Sequence, residues 1–428
     1  VIRRRHVIYV PGYDPRGVAE YFRMFRTEFR KFIALYCLQG RIGKITAPPD
    51  RFSARWDIET KSRDWQVDTT YEFLRWEDIV RRDFARPVWW KILRALGVLA
   101  AMFTTGAFPR FVRANWRFAA FLAYPFMVLL GLVLLAILAG SLTASIIAAL
   151  LPAPAVAIVM GMAVAAASLA ALLRWTERYT YMLYLFDDHA STHQFGNGER
   201  PDWGERFEIF AGYLVETAKA AAADEIVVVG HSSGSFIAVE VVARALARDP
   251  DLGRHGPKVT VLTVGANMPI VGFNPRAGSF RERLRRLATE RDVLWIEYQS
   301  RKDVMNFYPF DPVAGHRLEL GTERRNPTVV QVVFRHIVLP ENYPSFQWRF
   351  FRVHFQFVMA NQRPAAYDYF MIICGPFPLA LRAAQPDAAL AAVSADEAAA
   401  EAAWEHLRAA NPAENNGKTP VEPPREIE

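Results

Sequence analysis

From Phe118 to Leu173 the chain carries no Asp, Glu, Lys, Arg, His, Asn or Gln. That absence excludes most soluble folds, because a helix buried in a soluble core is rarely uncharged on every face over such a length. A bilayer core about 30 Å thick is crossed by roughly 20 apolar residues, so the stretch has room for two spans. Leu151-Pro152-Ala153-Pro154 divides it, and prolines there interrupt a helix. The pattern predicts a helical hairpin with arms at about 120–150 and 155–173. The first arm exceeds a perpendicular span and is expected to tilt or to start in the interface. The second is rich in small residues (Gly161, Ala163, Ala165, Ala166, Ala167, Ser168), which lets two helices approach closely.

The flanks set an expected orientation. Arg110, Arg113 and Arg117 precede the hairpin, and Arg174 and Arg178 follow it. Basic residues favour the cytoplasmic side, so both ends are expected there. No ionisable residue lies inside the spans, which argues against a transport path. Pro87-Val88-Trp89-Trp90-Lys91-Ile92-Leu93-Arg94 mixes Trp with basic residues, as in a segment lying among lipid headgroups. The formal net charge of +7 then reads as attraction to anionic lipid rather than to nucleic acid, because arginines cluster around the apolar stretch. The two cysteines, Cys37 and Cys374, give neither a disulfide framework nor a zinc spacing. The start, Val1 to His6, shows no signal-peptide pattern.

The chemistry centres on a second stretch. Glu225-Ile226-Val227-Val228-Val229 is an apolar strand, Gly230-His231-Ser232-Ser233-Gly234 follows, and a helical pattern begins near Phe236. Strand, G-x-S-x-G and helix in that order form a nucleophile elbow: the glycines permit a tight turn that lifts Ser232 off the sheet. The N–H of Ser233 then sits at a helix N-terminus, where negative charge is stabilised. Near the start, His6 to Val10 reads as a strand and Pro11-Gly12-Tyr13-Asp14-Pro15 as a turn before a helix carrying Tyr21, Phe25, Phe29 and Phe32 on one face. A backbone N–H near Tyr13 is therefore a candidate second oxyanion donor. Strands are also expected at about 52–60, 65–76, 258–264, 293–298 and 328–339, with helices between many of them. The expected fold class is α/β, with a mostly parallel sheet flanked by helices and the transmembrane hairpin inserted.

Asp187-Asp188-His189-Ala190-Ser191-Thr192-His193 invites a metal reading, but no third and fourth ligand accompany it, and it is expected to be a polar loop at the mouth of the site. The chain divides in expectation into 1–86 and 174–382 as two parts of one α/β domain, 87–117 as the interfacial segment, 118–173 as the hairpin, and 383–428 as a tail. Within the tail, 388–409 can form a helix, and the composition beyond Pro412 reads as disordered.

The elbow and the glycine turn after an early strand resemble those of the α/β-hydrolase superfamily, and more narrowly those of bacterial membrane-associated α/β hydrolases with a hydrophobic hairpin before the elbow. The resemblance covers about residues 6–376 apart from the insertion. It implies a Ser-Asp-His chain order. Asp303, just beyond the strand ending at Tyr298, is the candidate acid, with Asp311 a rival explained as a turn residue and Glu297 less well placed within a strand. His354 is the candidate base, with His316 and His336 as alternatives. The resemblance thus implies a serine esterase or lipase-like enzyme with Ser232, Asp303 and His354 as its triad, the backbone N–H groups of Tyr13 and Ser233 as its oxyanion hole, and no cofactor or metal. Expected partners are membrane lipid and an acyl-ester substrate, at a bacterial-type inner membrane with the catalytic part facing the cytoplasm. Other functions share the sequence features: acyl transfer to an acceptor other than water or thioester hydrolysis with the same nucleophile, and a non-catalytic membrane scaffold on the same fold.

Overall fold

A computed structural model describes residues 1–394, 397–409 and 425–426. The chain divides into two units, Val1–Arg82 with Gln194–Glu428, and Asp83–His193.

The first unit is α/β. Its strands are β1 (Arg4–Val10), β2 (Gln39–Ile42), β3 (Ser53–Lys61), β4 (Gln66–Leu74), β5 (Glu225–His231), β6 (Lys258–Val264), β7 (Val293–Gln299) and β8 (Thr328–Gln331). They form one sheet in the order β2-β3-β4-β1-β5-β6-β7-β8, beyond which Arg425–Glu426 pairs with β8. β4, β1, β5, β6, β7 and β8 run parallel, whereas β3 pairs antiparallel with both β2 and β4. The expected mostly parallel sheet is therefore mixed. The cause is local: β3 and β4 are joined by a tight turn closed by Ser62 N–H on the Trp65 carbonyl (2.9 Å), and so short a link pairs strands only antiparallel. β5 is buried along its whole length, which explains its unbroken apolar run.

α1 (Val18–Leu35) follows β1 and buries Tyr21, Phe25, Phe29 and Phe32, the face expected from their spacing. The chain goes out from β1 to the β2–β4 side and returns to β5 on the other side of β1, where Val10 pairs with Gly230. The loops after β1 and β5 thus leave the sheet in opposite directions, and the crevice between such loops is where open α/β sheets bind ligands. The remaining principal helices of this unit are α8 (Pro201–Ala220), α9 (Gly234–Arg248), α10 (Pro269–Gly272) and α11 (Gly278–Thr289). A buried ion pair at the sheet's other end, Arg5 Nε to Glu225 Oε2 (2.8 Å), is fully used. Arg5 also donates to the carbonyls of Gly375 and Phe377, and Glu225 accepts from Leu379 N–H, tying the segment after Cys374 to the sheet.

Two expectations for this unit change, and a third lies outside the described residues. The last strand ends at Gln331 rather than 339: the backbone turns into a one-turn helix, Phe334–Ile337, with His336 N–H on the Val333 carbonyl. The helix expected at 388–409 is two, Pro386–Ala391 and Glu397–Ala409. The segment read as disordered beyond Pro412 lies outside the described residues, apart from Arg425–Glu426.

α2 (Glu77–Phe84) leads to the second unit, whose helices are α3 (Val88–Thr104), α4 (Ala107–Ala114), α5 (Trp116–Leu150), α6 (Pro154–Thr180) and α7 (Met182–Gly196, of which the last three residues belong to the first unit). Two of these, α5 and α6, are long and apolar enough to span a membrane. Asn115 starts α5 by accepting from the N–H groups of Arg117 and Phe118, and Pro154 occupies the first turn of α6, where its missing N–H costs nothing. The arms meet through glycines: a Cβ on Gly140 would stand 2.5 Å from the Gly161 carbonyl, and one on Gly161 2.7 Å from that of Gly140. Leu134, Leu135, Ile137, Leu138 and Leu142 are each more than half exposed, an apolar surface that water does not favour and hydrocarbon does. Trp116, Trp175 and Tyr179 stand exposed where α5 begins and α6 ends, as interfacial aromatics do.

The segment from Val88 to Arg94 is helical, with Pro87 just before it, and Trp89 and Leu93 are over 60% exposed. Lys91 does not reach outward to headgroups as expected. It is buried, and its Nζ lies 2.6 Å from Asp187. The same pairing corrects the reading of Asp187 to His193, which is helical and mostly buried, with Asp188 and His193 half-buried, rather than a loop. Residues 174–193 accordingly belong to the hairpin's unit, not to the second part of the α/β domain.

Candidate active site

Between Glu225 and Ala243 every residue is buried except Ser232. Its φ is +58°, a left-handed conformation that costs a non-glycine residue roughly 1–2 kcal/mol. The surroundings hold it there. Ser232 N–H donates to the Val264 carbonyl at the end of β6 (3.2 Å), and its carbonyl accepts from Ser235 N–H (2.9 Å). The flanking glycines are required by contact rather than by φ. A Cβ on Gly234 would lie 2.1 Å from the Val10 carbonyl, and one on Gly230 would lie 2.5 Å from the Gly234 carbonyl.

The loop after β1 comes to the same place. The Cβ position of Gly12 is 3.3 Å from Ser232 Cβ and 3.5 Å from Ser233 N, so the Pro11–Tyr13 backbone runs against the elbow. Trp76 Nε1 holds the Pro11 carbonyl (3.3 Å), and the buried Tyr13 ring packs on Trp76 and Trp203, each centroid 6.0 Å away. Ser233 starts α9, whose first-turn N–H groups have no acceptor within the helix. The loop that carries Tyr13 and the start of α9 at Ser233 thus both adjoin Ser232.

Asp303 and His354, far apart in sequence, meet. Asp303 Oδ2 lies 2.6 Å from His354 Nδ1, and both side chains are at most 4% exposed. Asp303 Oδ1 accepts from Met305 N–H (2.9 Å), and Asn306 braces the loop by donating to the Ser300 and Asp303 carbonyls. His354 lies in the short helix Phe350–Phe355. Its ring is fitted against Gly265, where a Cβ would stand 3.1 Å from His354 Cε1, one residue beyond the carbonyl that holds Ser232 N–H. His354 Nε2 is buried with no hydrogen-bond partner among the described residues, so the Ser232–His354 bond itself is not made in this geometry.

Comparison with protein-family models, curated proteins and solved structures gave no match.

The rival residues are engaged elsewhere. Asp311 caps a turn, accepting from the N–H groups of Val313 and Ala314, and pairs with Arg324. Glu297 is bound by Gln299 and Thr263, and burial pushes its carboxyl up to about 7. His336 is exposed on the one-turn helix. His316 sits among Phe273, Phe280 and Phe310 with Nδ1 on the Pro312 carbonyl (2.5 Å), and burial pushes it down to about 4. Among the described residues no three His, Cys, Asp or Glu side chains are grouped to hold a metal.

His316 therefore marks a pH limit of the fold rather than a proton shuttle. Its folded pKa lies below the unfolded value of about 6.5, so the unfolded chain binds the extra proton between the two. Stability is expected to fall as pH drops from about 6.5 to about 4, by up to about 3 kcal/mol from this residue. His316→Leu should flatten part of that slope in melting temperatures measured across this window. A variant as acid-sensitive as the parent removes His316 as a cause.

Three neighbours were not legible in the sequence. His231 Nε2 donates to the His354 carbonyl (3.1 Å), and the two rings lie 4.7 Å apart. Burial, helped by His354 and Arg16, pushes His231 well below the ordinary histidine range. It therefore stays neutral beside the His354 ring. Asn267 donates to Ser233 Oγ (3.2 Å) and fixes the residue after Ser232. Arg16 pairs with Asp14 and stacks over Phe355 (5.0 Å), joining the loop after β1 to the histidine segment.

Proposed function

We propose that the chain is a membrane-anchored serine hydrolase of the α/β-hydrolase type, cleaving a lipid or other long-chain acyl ester. The observation that carries this reading is the strained, part-exposed Ser232 at the β1/β5 crevice, beside a buried Asp303–His354 pair whose Nε2 is unpartnered. Catalytic hydrogen bonds are often long before substrate binds and tighten in the reacting complex.

Ser232 Oγ attacks the acyl carbon while His354 Nε2 takes its proton. Asp303 holds the imidazole with its proton on Nδ1 and stabilises the imidazolium. The carbonyl oxygen, now negative, is held by the N–H groups of Tyr13 and Ser233, each donor of this kind contributing about 3–4 kcal/mol. The ester C–O bond breaks, His354 returns the proton to the leaving alcohol, and an acyl-Ser232 remains. Water repeats the sequence, releasing the acid and restoring Ser232. The apolar hairpin supports lipid as the substrate class by bringing the chain to where such esters are dissolved. A fluorophosphonate probe is expected to label intact protein in membranes at Ser232 alone. Labelling that persists in Ser232→Ala, or is missing from the parent, refutes the nucleophile.

The basic flanks of α5 and α6 support a hairpin with both ends in the cytoplasm and the α/β unit on that face. Protease is expected to cut the C-terminal tail in inverted vesicles and to leave it whole in intact cells. Cutting from outside intact cells reverses the topology.

A further inference from the structure

A cavity of about 150 Å³ lies in the α/β unit between α8, α9 and α11. Three arginines line it, Arg200, Arg244 and Arg283, and no carboxylate does. We propose that this cavity binds a phosphate group, at a site separate from the one built on Ser232.

Two helices begin at its wall. Pro201 and Gly204 belong to the first turn of α8, and Ser279 and Phe280 to that of α11. Neither helix has a capping side chain, so the N–H groups of both first turns leave partial positive charge there. The guanidinium groups are fixed in place. Arg244 is held by Glu208 (2.6 Å) and Glu240 (2.9 Å), Arg283 by Glu240, and Arg200 by Asp202 while it stacks on Trp203. Among the described residues, the three lining arginines pair with three carboxylates, Asp202, Glu208 and Glu240, and Arg248, outside the lining, shares Glu208. Arg244 Nε is also buried without a partner. Pre-positioned guanidinium forks and helix N-termini together suit a multiply charged oxyanion. The volume far exceeds the roughly 10–15 Å³ that admits one water, so a phosphate group fits.

The site is distinct from the acyl site. Arg244 lies ten residues beyond the start of α9, about 15 Å along the helix from the elbow, which is too far for one small headgroup to reach both. Its failure would leave the hydrolase reading untouched.

The probe is inorganic phosphate, titrated into the full chain in uncharged detergent, with binding read by calorimetry and melting temperature. Saturable binding is expected, weakened roughly tenfold in Arg283→Gln. Gly204→Glu should abolish it, since a Cβ there meets nothing within 4 Å and the new carboxylate stands in the cavity. That variant replaces a helical glycine and should melt no lower than the parent, so its loss of binding is not a loss of fold. In vesicles containing phosphatidic acid, loss of the phosphate response identifies a lipid headgroup as the source, and an unchanged response identifies a soluble phosphate. The proposal is overturned if phosphate acts no differently from chloride at matched ionic strength, or if Gly204→Glu binds it as the parent does.

Discussion

Ser232→Ala is expected to lower ester turnover by roughly 10⁴–10⁶-fold while leaving substrate binding nearly intact. In the proposed mechanism the oxygen removed is the one that forms the acyl bond, and the residual rate comes from the oxyanion donors and from binding. The same residue should expose a conflict between stability and activity. Ser232 is held at φ +58°, so alanine inherits the strain and glycine relieves it. Ser232→Gly should therefore be as inactive as Ser232→Ala and more stable by about 1 kcal/mol, after the entropy cost of glycine is set against the relief. Hydrolysis of an ester panel and melting temperature measure the two effects. Turnover within tenfold of the parent in either variant removes Ser232 from the mechanism.

What the sequence disclosed, and what it hid, follows from how local each cause is. The elbow was legible because Gly230, Ser232 and Gly234 answer to contacts within a few residues and to the end of one neighbouring strand. The hairpin was legible because the bilayer acts on every residue of a helix alike. β2 was missed because Gln39–Ile42 is almost wholly exposed at the sheet edge and shows no apolar alternation. The run Val329-Val330-Gln331-Val332-Val333 was extended too far as a strand, since β-branched propensity does not mark where a neighbouring strand stops pairing. Asp187 to His193 has the polar composition of a loop, and the partner that accompanies Asp187 into burial, Lys91, is distant in sequence. The sheet's antiparallel edge lay in the shortness of one turn, a signal that a reading of alternating strands and helices passes over. In the site, chain order pointed to Asp303 and His354, but nothing near His354 says that Gly265 leaves room for its ring or that His231 packs beside it. Arg16 and Asn267 act through residues that only the fold brings to them.

Asp303→Asn is expected to lower turnover by about 10⁴-fold with little change in folding. Asp303 Oδ1 accepts from Met305 N–H, and Oδ2 faces His354 Nδ1. An asparagine keeps its oxygen on Met305 N–H, because its NH₂ there would set donor against donor. Its Nδ2 then takes the place of Oδ2 and donates to Nδ1. The imidazole must answer with its lone pair on Nδ1 and its proton on Nε2, so it can no longer accept the proton of Ser232. Volume and the Met305 bond are conserved, so the melting temperature should move little. The double variant Ser232→Ala with Asp303→Asn should be no slower than Ser232→Ala alone, because residues acting as one unit are not additive. Fluorophosphonate labelling should slow in parallel with turnover in Asp303→Asn. If Asp303→Asn instead stays within tenfold of the parent while Asp311→Asn loses activity, the acid of the triad is Asp311, and the 2.6 Å contact between Asp303 and His354 is structural.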